Sequence, residues 1–143
     1  GAQLSKYNKE INGDMIRLIF WDIAGQADFN FLHHLFYKEG KAVIIVYSLE
    51  ENDLGYDSFK HIENWYNELK KYCGDIPVVL FANKADLVKI ENIESIVIQE
   101  LVKKYNFLGY YITSAKTGQG VIEAFDIIIE KLYYKYKILS SQK

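Results

Sequence analysis

The hydrophobic positions of this chain fall into two rhythms that alternate along it. Ala42 to Tyr47 (AVIIVY) and Val78 to Ala82 (VVLFA) are short, continuous apolar runs rich in β-branched and aromatic residues. Unalternated runs of this kind predict parallel strands buried on both faces. Met15 to Trp21 (MIRLIFW) predicts a third. Asn12-Gly13 before it is a hairpin-turn signal, so Tyr7 to Ile11 is predicted as a polar strand near a sheet edge. Tyr110 to Thr113 predicts a short last strand. The second rhythm is helical. Phe59, Ile62, Tyr66, Leu69 and Cys73 recur at i, i+3, i+7, i+10 and i+14. Ile98, Leu101, Val102 and Tyr105 repeat it over a shorter span, and Val121, Ala124, Phe125, Ile128 and Leu132 form the clearest stripe. The predicted order is strand, strand, short helix or loop, strand, helix, strand, helix, strand, helix. Such alternation implies an α/β fold with a mostly parallel sheet and helices on both faces. Ligands of these sheets bind at the carboxyl ends of the strands, so those ends are where function is sought.

Composition narrows the class. A chain of 143 residues, half hydrophobic and a quarter charged, fits one soluble domain over residues 1–143. A net charge of −2 argues against bulk binding to nucleic acid or acidic membranes. The single cysteine, Cys73, excludes an intrachain disulfide and favours a reducing compartment. It sits on an apolar helical stripe and is expected to be inert. No apolar run approaches the ~20 residues that span a bilayer, and no stretch reads as a signal peptide.

Three strand ends carry polar clusters. Trp21 is followed by Asp22-Ile23-Ala24-Gly25-Gln26, Ala82 by Asn83-Lys84-Ala85-Asp86, and Ile112 by Thr113-Ser114-Ala115-Lys116. Any one of them is what an ordinary strand end looks like. Three in order are harder to assign to chance. Together WDIAGQ (21–26), NKAD (83–86) and TSAKTGQGV (113–121) resemble the Ras-like small GTPases, most closely the Rab branch. The resemblance covers nearly the whole chain, including ENWYNELKKY (63–72). It implies a P-loop NTPase-like fold, GTP or GDP with Mg²⁺, and hydrolysis of GTP.

The resemblance also assigns roles. Guanine presents N1–H and a 2-amino group side by side, and the Asp86 carboxylate would accept from both. Adenine has no 2-amino group and an unprotonated N1. Asn83 would sit near guanine N7 and tie neighbouring loops together. Lys84 would lay its aliphatic stem along base and ribose. The backbone N–H of Ala115 would face guanine O6, with Ser114 and Lys116 holding that loop. Asp22, at the end of an apolar run, takes the Walker B position towards Mg²⁺. Gly25 would bring its N–H to the γ-phosphate, and Gln26 would orient the attacking water. Gln26 to Gly40 would form switch II. Protein effectors, an exchange factor and a GTPase-activating protein are the partners implied. The implied place is the cytoplasm, with peripheral membrane contact through partners and a role in membrane traffic or signalling.

Other features depart from the family pattern. The phosphate-gripping pattern G-x-x-x-x-G-K-[ST] has no match in these 143 residues, and Gly118-Gln119-Gly120 is not followed by Lys-Ser or Lys-Thr. Gly1-Ala2-Gln3-Leu4 resembles the residues just after the switch I threonine. The expectation is therefore a domain missing the family's first strand, first helix and switch I. That strand would lie between Met15–Trp21 and Ala42–Tyr47, and its loss would leave two bare edges and a chain unstable alone. No prenylation cysteines occur near Ser140-Ser141-Gln142-Lys143, so no membrane anchor is expected from this chain. Ala27-Asp28 stand where Rab members carry Glu-Arg, which leaves the Roc-type domains as a neighbouring reading. His33-His34 lack a third ligand at metal-site spacing. Tyr133-Tyr134-Lys135-Tyr136-Lys137 reads as the end of an amphipathic helix, and Trp21 and Trp65 as packing residues. The alternative from a different class is a pseudo-GTPase, an interaction module that no longer binds nucleotide. Retention of Asn83, Lys84 and Asp86 argues against it. A third reading, an unrelated doubly wound protein, leaves the three motifs unexplained.

Overall fold

A computed structural model describes residues 3–22, 42–89 and 95–141. Strands β1 (Gln3–Ile11) and β2 (Asp14–Asp22) form an antiparallel hairpin in which Ile11 faces Asp14. Asn12 and Gly13 make the turn with φ of +52° and +85°, the left-handed conformations that an Asn-Gly turn supplies. Then follow β3 (Val43–Ser48), α1 (Asp53–Lys60), α2 (Ile62–Cys73) and β4 (Val78–Asn83). A 3₁₀ turn (Ala85–Leu87), α3 (Ser95–Tyr105), β5 (Gly109–Ile112) and α4 (Val121–Ser141) complete the order.

The expected α/β class is present. Strands β3, β4 and β5 form a parallel sheet in that order, with Ile45 opposite Leu80 and Leu80 opposite Tyr110. The sheet separates two cores. Ile45, Tyr47, Val78, Leu80 and Ala82 pack with Ile62 and Leu69 of α2 and Ile98 and Leu101 of α3. Val79 and Phe81 pack on the other face with Ala124, Ile128 and Leu132 of α4. β4 is thus buried on both faces, as its unbroken apolar run requires. The helical stripe from Phe59 to Cys73 is split at His61, which ends α1 and begins α2. Trp65 packs against the first core, as expected. So does Cys73, whose thiol burial pushes above its ordinary value, leaving it protonated and weakly nucleophilic. Among the described residues no helix is long and apolar enough to cross a membrane.

Two strand assignments need correction. Ala42–Tyr47 and Met15–Trp21 read as buried on both faces. In β3, Ile45 and Tyr47 are buried but Val46 is 56 % exposed. In β2, Leu18 packs on the second core while Met15 is 66 % and Ile19 51 % exposed. The described residues form two sheets, and no ladder joins β2 to β3. The second core, lined by α4, takes in Leu18 and Ile44, so β2 has one covered and one open face, while in β3 the face shared by Ile44 and Val46 is covered at Ile44 and open at Val46.

α4 also fastens the hairpin with polar contacts. Tyr7 donates from its hydroxyl to Asp126, which raises the phenol's pKa. Lys9 donates to Glu130 (2.7 Å) and Asn12 to the Tyr134 hydroxyl (3.2 Å). Tyr133 donates to Asp14. The Tyr-Lys-rich segment therefore does lie on an amphipathic helix, and its polar side is spent partly on the hairpin.

Candidate nucleotide-base site

All three parallel strands end at one edge of the sheet, and two of the expected clusters meet there. Asn83 is the last residue of β4. Lys84 then adopts φ +68°, the left-handed region, and turns the chain into the 3₁₀ turn carrying Asp86. From β5 the chain runs through Thr113 and Ser114, both buried, into a turn that delivers it to α4.

The backbones of the two loops are joined first. Thr113 N–H donates to the Ala82 carbonyl (2.8 Å), and Ala85 N–H donates to that of Thr113 (3.0 Å). The side chains finish the connection. Asn83 Oδ1 accepts from Thr113 Oγ1 (3.3 Å) and from the backbone N–H of Ala115 (3.0 Å). Ser114 Oγ donates to Asp86 Oδ1 (2.8 Å) and accepts from Thr117 N–H (3.2 Å). Ser114 N–H donates to the Gln119 carbonyl, and Gly118 N–H to that of Ser114. Gly120 closes the turn at φ +72°, where a Cβ would fall 2.3 Å from the Ile112 carbonyl oxygen. Gly120→Ala is therefore expected to cost about 1–3 kcal/mol. A denaturant titration measures it.

The arrangement leaves a defined set of groups for a ligand. Asp86 is exposed and has one carboxylate oxygen on Ser114. No described residue donates to its other oxygen, and none accepts from the Asn83 amide nitrogen. A carboxylate acceptor and an amide N–H donor left free on one loop suit a flat heterocycle with donors for the first and an acceptor for the second. The Ala115 N–H, expected to face guanine O6, is held by Asn83 Oδ1, so a base would share or exchange that bond. The loop is held by Thr113, Ser114 and Thr117. Lys116 is exposed and makes no hydrogen bond or ion pair with a described residue.

A profile built from the Ras family matches residues 1–134. The chain belongs to the Ras family. Relatives agree with the placement of this Ras-family chain. It is 32 % identical over 136 residues to the Ras-related protein Rab-2B of Dictyostelium discoideum, aligning 94 % of its own length with 65 % of that protein's. It is 34 % identical over 128 residues to the Ras-related protein Rab-21 of Bos taurus, aligning 86 % of its length with 54 %. Rab-21 of Canis lupus familiaris gives the same identity and coverage. The chain thus spans between about half and two thirds of the length of these relatives.

The other expected site residues are only partly in view. Asp22 is the last residue of β2, and its side chain lies outside the described residues. Gly25 and Gln26, with the rest of the segment expected to form switch II and His33-His34, also lie outside them. No group of three or more His, Cys, Asp or Glu able to hold a metal occurs among the described residues.

One participant escaped the sequence reading. Lys84 Nζ pairs with Glu50 Oε1. Glu50 follows β3, a strand end not counted among the polar clusters. The signal was available: β3 reads as a parallel strand, so its carboxyl end shares an edge with those of β4 and β5.

Proposed function

We propose that this chain forms the base-recognition part of a Rab-like, guanine-nucleotide-binding switch that hydrolyses GTP to GDP. The observation that carries the reading is the link between two motif loops. Asn83 binds Thr113 and Ala115, and Ser114 binds Asp86, so the NKAD and TSAK segments form one surface. In this reading Asp86 accepts from guanine N1–H and the 2-amino group. Asn83 donates to N7, Lys84 lies along the base, and Ala115 N–H, with Ser114 and Lys116 beside it, serves O6. Mg²⁺ would be held by Asp22, and when bound it would neutralise charge developing on the phosphates. Gly25 would offer its N–H to the γ-phosphate and Gln26 would orient water for in-line attack. Effectors, an exchange factor and a GTPase-activating protein would read the nucleotide state, and membrane traffic or signalling in the cytoplasm would be the setting. Family membership supports the class of activity.

The test uses the protein expressed from its complete reading frame. Fluorescent GDP is titrated in with Mg²⁺, and GTP and ATP compete. Displacement by GTP and not by ATP is expected. Equal displacement by ATP overturns base recognition, and absence of binding favours a pseudo-GTPase. In the same protein Gln26→Leu is expected to slow single-turnover hydrolysis on the order of ten- to a hundredfold with GTP binding retained. An unchanged rate would remove Gln26 from the water-orienting role.

A further inference from the structure

We propose that Glu50 is a positioning residue, an anchor that fixes Lys84 before the nucleotide arrives and slows the nucleotide's release. The proposal rests on the guanine reading above and adds a residue from a different strand end.

Glu50 is built into its place. Its Oε1 accepts from Ser48 Oγ (3.3 Å), and its Oε2 accepts from Asn52 Nδ2 (2.9 Å). Its backbone N–H donates to Ser48 Oγ (3.2 Å). Asn52 is itself fixed, because its Oδ1 caps α1 by accepting from Gly55 N–H (2.9 Å). Gly55 is buried against the same segment, and a Cβ there would lie 1.9 Å from the Glu50 carbonyl oxygen. The Glu50 side chain is only 16 % exposed, against 48 % for that of Lys84. A held carboxylate thus receives a long, flexible ammonium.

The consequence follows from entropy. A lysine loses several rotatable bonds when a ligand packs on its stem. Here Lys84 is held at both ends. Its backbone sits in the left-handed turn after Asn83, and its Nζ is on Glu50. The stem between them is ordered in advance, so less freedom is lost on binding. The Lys84 side chain is half exposed, so solvent screening limits the effect.

The complete protein is loaded with fluorescent GDP, and release is followed after an excess of unlabelled GDP is added. Glu50→Gln is expected to speed release about threefold to tenfold. In a Lys84→Met background the same substitution is expected to change nothing further. A purely structural role for Glu50 would accelerate release equally in both backgrounds, and that result overturns the proposal. Unchanged or slower release by Glu50→Gln alone also overturns it, the slower case showing that Glu50 competes with nucleotide for the lysine. Wild-type protein that binds no fluorescent GDP would remove the guanine reading itself. Wild-type binding with unaltered release in the variant removes Glu50 alone.

Discussion

Asp86→Asn should exchange a preference for guanine for one for xanthine. A carboxylate accepts from two adjacent donors, N1–H and the 2-amino group. An amide presents one acceptor and one donor, so its N–H would meet the 2-amino group of guanine and accept nothing. Xanthine has an oxygen at that carbon, which takes the amide's hydrogen. The substitution should leave the loop intact, because Ser114 Oγ donates to Oδ1 and asparagine keeps an oxygen there. Hydrogen bonds to a charged acceptor contribute about 1.5–3 kcal/mol each. Asp86 is exposed, so the low end applies to both bonds, and guanine affinity should fall about a hundredfold. Competition between GDP and xanthosine diphosphate measures it. Unchanged preference for GDP would remove Asp86 from base recognition.

Asn83→Ala should damage both stability and binding. The Asn83 oxygen is the acceptor for the Thr113 hydroxyl, and Thr113 is 1 % exposed. Truncation strands that hydroxyl out of reach of solvent and frees the Ala115 N–H, at a cost of about 1–3 kcal/mol. Asn83→Asp separates the two effects. Aspartate keeps the oxygen that Thr113 and Ala115 need, and it lacks the amide donor proposed for the base. The Asp variant should therefore unfold near the wild-type midpoint yet bind guanine nucleotide about tenfold more weakly. Wild-type binding by the Asp variant would show that Asn83 only ties the loops. An Asp variant as unstable as the Ala variant would show that the tie depends on the neutral amide.

Much of this architecture was legible because its causes are local. VVLFA can only be a buried strand if both its faces are covered, and α2, α3 and α4 cover them. Asn12-Gly13 states its own turn, since few other pairs accept two successive positive φ angles. The NKAD and TSAK segments were recognisable as strand ends from the change of pattern alone. The open face of β2 and the exposed Val46 position of β3 were not legible. MIRLIFW and AVIIVY contain the residues of a doubly covered strand, and composition does not say how far a neighbouring helix extends.

The hairpin's attachment to α4 was hidden for another reason. Tyr7 and Asp126, or Lys9 and Glu130, lie far apart in the chain, and each is unremarkable in its own segment. Glu50 shows the same limit at the candidate site. In sequence it is one acid in a run, Glu50-Glu51-Asn52-Asp53, and such runs usually face solvent. Parallel pairing of β3 with β4 sets Ser48 opposite Asn83, which brings Glu50 and Lys84 to the same edge. Periodicity and turn chemistry act over a few residues, so the sequence by itself determined the described elements, their order and the polar strand ends at residues 83–86 and 113–116. Which strand ends share an edge, and which charge meets which, depends on pairing across the sheet. Those contacts join residues distant along the chain, and only the tertiary structure decided them.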